Sequence, residues 1–259
     1  MNPVYTLLFI LPFGTVFFVY LYGAFVHSRR RGKAWPRSRT VFGIVGVLMA
    51  VVSATGPLAH LAHADFRFHM GTHLILGMLS PLLIHSARPF TLIFRTLSIQ
   101  NARRLVRFLK TRYIRTLHHP VTASLLNIGG MWVLYTTRLW EMMHQHAFFY
   151  LLIHLHIFLA GYVYTASLLQ LEPSPDRYRF SFRAAVLVLS LAAHQILAKF
   201  IYAHPPGEVP TDLAGAGGML MYYGGDVIDL VIIIVLCRRW YQTLQPRKKL
   251  PSCQPALKS

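Results

Sequence analysis

An all-α integral membrane bundle of seven transmembrane helices is the fold class predicted for this chain, and three observations predict it. Hydrophobic residues make up 54% of the 259 residues and charged residues only 13%, a balance that excludes an ordinary water-soluble domain. The apolar residues gather into runs of about 20, the length a helix needs to cross roughly 30 Å of hydrocarbon with its backbone hydrogen bonds kept internal. Lysine and arginine gather between those runs at alternate junctions, as the positive-inside rule requires of loops on the cytoplasmic face.

The spans are expected near residues 4–26, 40–61, 69–87, 121–140, 147–169, 182–203 and 218–237. The first is too long for a signal-peptide core, has no positive charge before it, and is followed by Arg29, Arg30 and Arg31, so it reads as a retained anchor with its N-terminus outside. The third contains His69, Thr72 and His73 early and Pro81 late; the proline should kink it. Of the 26 basic residues, 23 fall between spans one and two, three and four, or five and six, or in the C-terminal tail. Seven spans therefore place the C-terminus in the cytoplasm, and losing one would scramble the alternation.

Residues 88–120 form the longest cytoplasmic connection. In it Arg103, Arg104, Arg107, Lys110 and Arg112 interleave with Leu105, Val106, Phe108 and Leu109, which suits a basic helix lying on membrane lipid or docking a partner's loop. The net charge of +18 is thus directed at phospholipid headgroups; no nucleic-acid module is present. One seven-span domain, 1–245, is followed by a Pro- and Lys-rich tail, 246–259, expected to be disordered. Cys237 and Cys253 have no metal-site or disulfide spacing.

The fourteen histidines are biased to the face opposite the basic loops. HLAHADFRFHMGTH, residues 60–73, holds His60 and His63 three apart and His69 and His73 four apart; on helices each pair shares a face, the geometry that lets two imidazoles reach one metal ion. The same residues also suit a wet membrane boundary as simple polar caps. In the next outer loop, EMMHQH, Met142, Met143, His144 and His146 crowd together; thioether with imidazole suits Cu(I), although methionine is also common core filler. Deeper in the spans lie His154, His156, His194, Asp226 and Asp229. Ionisable groups at that depth are costly in lipid and should face the bundle interior, a cation, or one another. His154 and His156 are about 200° apart on a helix, so only one can belong to such a site, and His154 is the choice.

GPLAHLAHADFRFHMGTHLILGMLSPLLI, HHPVTASLLNIGGMWVLY and MLMYYGGDVIDLVI resemble, in order and spacing over roughly residues 40–240, the CtaG family of integral-membrane assembly factors for caa3-type cytochrome c oxidase in Gram-positive bacteria. The resemblance implies a multi-pass bacterial plasma-membrane protein that is not an enzyme, with cytochrome c oxidase subunits and a copper donor as partners. Its H-M-x-x-H pattern falls on His69, Met70 and His73, preceded by His60. The expected metal-binding residues are therefore His60, His63, His69, His73, His154, His194 and Asp226, with Met70, Met142, Met143, His144 and His146 as weaker candidates, and copper as the metal delivered. Two other readings stand beside it. A haem-binding electron-transfer protein would use His73, His154 and His194; a cation or proton transporter would use Asp226, Asp229 and His194. No hydrolase triad, phosphate loop or dinucleotide fingerprint supports a conventional enzyme.

Overall fold

The computed structural model describes residues 3–31 and 34–245, leaving aside the side chains of residues 3–6, 9, 30 and 31; the tail 246–259, with Cys253, lies outside the described residues. Among them the chain is helical throughout, without strands. Among the described residues six helices are long and apolar enough to cross a membrane, matching the expected spans one, two, three, five, six and seven. Their large apolar side chains, such as Phe18, Val188, Leu189 and Val227, stand exposed on the outside, the reverse of a water-soluble surface and the arrangement expected of a multi-pass membrane protein whose solvent is lipid.

Helix α1 (Pro3–Arg31) and α2 (Arg37–Ala54) are joined at the basic end of the bundle. The sequence predicts that span two runs to residue 61, but it ends at Ala54. Thr55 is extended and Gly56 takes φ 72°, a conformation open to glycine at little cost, so Pro57 then starts a separate helix, α3 (Gly56–Ala64). Asp65 caps α4 (Phe66–Leu74), its Oδ1 accepting from Arg67 N at 2.8 Å.

In span three, where Pro81 is expected to kink the helix, a π turn, Ile75–Leu79, hands the chain to α5 (Ser80–Ala87). Pro81 has no N–H to give the carbonyl of Gly77 one turn back. That freed carbonyl points at Gly161 of α12 (Ala147–Leu169), where an added Cβ would lie only 1.9 Å away. A glycine is therefore required at the crossing, and it lets the two backbones touch. Arg88, in the left-handed region at φ 58°, stops α5, and Pro89 begins α6 (Pro89–Thr96).

Two short helices, α7 (Ile99–Leu109) and α8 (Arg112–Leu117), lead across the basic end to α9 (Pro120–Ser124). The expected fourth span is a helical run broken by a second π turn, Leu125–Gly129, before α10 (Gly130–Thr136). It stops at Thr137, which is extended, and is not among the six long apolar helices. Short α11 (Leu139–Gln145) then leads into α12; α13 (Phe180–Ala203) and α14 (Thr211–Leu244) close the bundle.

The interior divides along its length. Toward one end Phe66, Met70, Tyr135, Trp140, Met143, Tyr150 and Leu197 form an aromatic-rich core; toward the other Leu74, Leu82, Tyr164, Leu168, Leu187 and Leu236 form an aliphatic one. Most of the histidines of interest lie in and around the first.

Candidate functional site

The site is built where α4, α10, α11 and α12 converge. At its mouth His63 of α3 stands 5.5 Å, ring centre to ring centre, from His144 of α11 and stacks on Tyr150 at 4.9 Å. Both histidines line a cleft of about 310 Å³ with Phe66, Trp140 and Glu208. Burial draws the His63 imidazole below its ordinary pKa, and the neighbouring His144 reinforces the shift, which favours the neutral His63 ring with a lone pair to offer.

Beneath the mouth lies His69, buried, with its ring edge-on to Trp140 at 4.6 Å, 6.2 Å from His144 and 6.5 Å from His154. Its Nε2 is 3.1 Å from the Tyr135 hydroxyl, which also reaches toward Met70 Sδ at 3.8 Å. His144 and His154 each place Nδ1 on the carbonyl one turn back, Trp140 O at 2.9 Å and Tyr150 O at 2.8 Å. A carbonyl oxygen only accepts, so Nδ1 carries the proton and Nε2 keeps its lone pair. These bonds to backbone carbonyls fix the orientation of both rings.

One helical turn deeper, His73 Nε2 lies 2.6 Å from Met131 Sδ of α10, while its buried Nδ1 has no hydrogen-bond partner among the described residues. His154 and His194 lie within electrostatic reach of it. His194 is buried against Gly225, where an added Cβ would sit 2.6 Å from its Cε1, and its Nε2 is likewise unpartnered among the described residues. Buried polar atoms are normally satisfied. The two unpartnered nitrogens are His73 Nδ1 and His194 Nε2, while the Met131 thioether meets the other nitrogen of the His73 ring.

The expected residues are not gathered into one centre. His60 is exposed on α3, and His146 is exposed with its ring toward Phe149. Among the described residues no three His, Cys, Asp or Glu side chains are arranged to hold a metal ion together, so His60, His69 and His73 do not converge. His69 and His73 are buried on α4, whereas His60 is exposed on α3, which ends at Ala64 before the Asp65 cap. Met143 is spent in the core and Met142 is half-buried. Asp226 does not hydrogen-bond to His194 but accepts from Gln195 Nε2 at 2.7 Å, and Asp229 is buried a turn further along. His154 is buried; His156 is exposed on the other side of α12, its Nε2 on Leu126 O at 3.1 Å. Met131, Tyr135 and Trp140 are the contributors that sequence reasoning missed. Met131 meets a histidine 58 residues away, and no local spacing marks such a pair.

The model of the cytochrome c oxidase caa3 assembly factor family matches residues 18–243. The chain belongs to this Caa3_CtaG family. Among curated relatives, a protein of Mycobacterium leprae described only as uncharacterised is 27% identical over 177 residues, covering 66% of this chain and 27% of its own length. Similarly described proteins of Mycobacterium bovis and Mycobacterium tuberculosis are 26% identical over 188 residues, covering 70% of this chain and 28% of theirs. The chain thus spans little more than a quarter of the curated relatives it matches. No solved structure matches it. The family match includes the π turns, His69, His73, Met131 and the Gly77–Gly161 crossing within one stretch.

Proposed function

We propose that this Caa3_CtaG protein serves the assembly of active caa3 cytochrome c oxidase in the bacterial plasma membrane by taking copper at the histidine end of the bundle and passing it to the oxidase. Copper is cargo in this reading. The observation that carries it is the contact between His73 Nε2 and Met131 Sδ at 2.6 Å, lying beneath His63, His144, His69 and His154. Soft thioether and borderline imidazole select Cu(I) over Mg, Ca and Mn, and the absence of thiolate from this layer keeps the ion exchangeable.

Metal–nitrogen and metal–sulfur bonds of about 2.0 and 2.3 Å at a tetrahedral angle need the two donors about 3.5 Å apart. Binding therefore opens the pair by about 1 Å. Methionine, unbranched with rotatable bonds throughout its side chain, supplies that movement. His73 and Met131 hold the ion; His194 Nε2 and His154 Nε2 are the next lone pairs within the layer; His63 and His144 are the entry ligands. Nδ1–H bonds to Trp140 O and Tyr150 O hold two of these rings in orientation.

The histidine end faces outward in this reading and the end carrying Arg115, Arg183 and Arg239 faces the cytoplasm. The basic-residue alternation supports that orientation and requires 120–136 to cross as the fourth of seven passes. The recipient is an oxidase subunit beside the bundle and the donor a copper carrier on the outer side.

The test is to load purified protein with copper under reducing conditions and count bound metal in wild type, His73→Ala, Met131→Leu and His60→Ala. Loss in the first two variants with His60→Ala unaffected is expected. Equal copper in all four sinks the ligand set. Full oxidase activity in a deletion strain sinks the assembly role, and a Soret band that shifts on reduction replaces copper by haem.

A further inference from the structure

We propose that the basic end of the bundle carries a binding site for a phosphate-bearing anion, formed by Arg88, Arg177, Arg183 and Arg239. This site is separate from the copper layer and stands or falls independently of it.

The cluster forms around the end of α12. Gln170 turns into the left-handed region at φ 45° and terminates that helix, leaving its last carbonyls to be satisfied from outside. Arg183 Nη1 donates to Leu168 O, and Arg239 Nη2 donates to Gln170 O at 3.1 Å. Two guanidinium groups from α13 and α14 are thereby fixed side by side. Arg239 and Arg177 act on Arg183, and Arg88 and Arg177 act on Arg239, within electrostatic reach. Arg183 Nε is buried with no hydrogen-bond partner among the described residues.

Helix capping does not account for this much charge. A helix C-terminus presents the equivalent of about half a negative charge, against four guanidinium groups. Among the described residues the acids near this end are Asp176 and Glu172, the latter within electrostatic reach of Arg88. Asp176 is held in a two-point pair by Arg115, at 2.8 and 3.0 Å. Glu172 is buried, accepts from Thr91 N at 2.8 Å and sits 3.7 Å from His85 Nδ1. Arg183 and Arg239, anchored on neighbouring carbonyls with Arg177 within electrostatic reach of both, repel one another unless an anion joins them. Each guanidinium has five N–H donors in a planar fork, and the two anchored here have each spent one on a carbonyl in the recorded contacts. The remaining forks match the oxygens of a phosphate.

The phosphate can come from an anionic lipid headgroup or from soluble phosphate, and the same protein distinguishes them. Full-length protein in detergent is offered phosphatidylglycerol or phosphatidylcholine of identical chains, and retained lipid is counted by native mass spectrometry. In parallel, the thermal midpoint is followed as inorganic phosphate is added. Wild type should retain phosphatidylglycerol about fivefold over phosphatidylcholine, and Arg177→Gln should lose most of that preference, since one basic residue near the headgroups is worth about that factor. Arg183→Gln and Arg239→Gln should abolish it. Stabilisation by inorganic phosphate in wild type but not in Arg177→Gln, without lipid preference, keeps the site and assigns it to soluble phosphate. Arg177 is exposed, so its replacement decides the matter even if the other variants misfold. Identical lipid retention and identical phosphate response in wild type and Arg177→Gln would overturn the proposal.

Discussion

Replacing Gly161 by alanine tests the architecture that holds the candidate site together. The added Cβ would stand 1.9 Å from the Gly77 carbonyl oxygen and 2.9 Å from its carbonyl carbon. A carbon and an oxygen in close contact need about 3.3 Å, so α12 must retreat from the π turn by about 1.4 Å. Both obstacles are backbone, and no rotamer change relieves them. Overpacking of this kind costs about 1–3 kcal/mol, and the rigid partners put Gly161→Ala at the upper end. For a chain of this size that lowers the thermal midpoint by about 6–12 °C. Intrinsic tryptophan fluorescence in detergent reads it.

Two other glycines calibrate the expectation. An alanine at Gly77 would meet Ile157 Cγ2 at 3.0 Å, a side-chain atom that can yield, so a loss of about 1 kcal/mol is expected. Gly129 has nothing within 4 Å of a new Cβ, and alanine there should be neutral or stabilising by up to about 1 kcal/mol from helix propensity. Because Gly77 follows His73 by one turn and Gly161 follows His154 by two, the retreat of α12 should also reduce copper loading. The reasoning is refuted if Gly161→Ala melts within a degree or two of wild type, or if Gly129→Ala loses as much.

Other consequences are equally specific. Tyr135→Phe removes the hydroxyl 3.1 Å from His69 Nε2 and should cost about 1 kcal/mol, read as a lower midpoint with copper stoichiometry retained; an unchanged midpoint would show the contact to be idle. Burial pushes the Glu172 carboxyl from 4.5 up to about 7, so the folded chain binds the proton more tightly and stability should fall as pH rises from about 4.5 through 7, by at most about 3 kcal/mol. Glu172→Gln should flatten that slope, and an unchanged pH profile would contradict it. Breaking the exposed Arg115–Asp176 pair with Arg115→Gln should leave the thermal midpoint essentially where it is, measured by the same melts.

Periodicity and charge made the membrane bundle legible because lipid imposes length and apolarity on each span locally. Six long helices followed directly. Where the expectation for span two overran, the Gly56-Pro57 pair was a stop signal outweighed by the apolar run. Pro81 marked a disturbed helix, but the π turn before it and the meeting of the Gly77 carbonyl with Gly161, 84 residues further along, depend on packing that local sequence does not carry. Among site residues, His69, His73 and His154 stood out because an imidazole inside lipid needs a reason. Met131 did not, since a buried methionine in an apolar run is ordinary until its partner is known.

The central claim is tested most directly by X-ray absorption at the copper edge on protein loaded with Cu(I), comparing wild type with Met131→Leu. The account predicts a sulfur scatterer at about 2.3 Å in wild type, beside nitrogen at about 2.0 Å, and its loss in Met131→Leu with nitrogen retained. A first shell of nitrogen and oxygen alone in wild type, or a sulfur signal untouched by Met131→Leu, would contradict it.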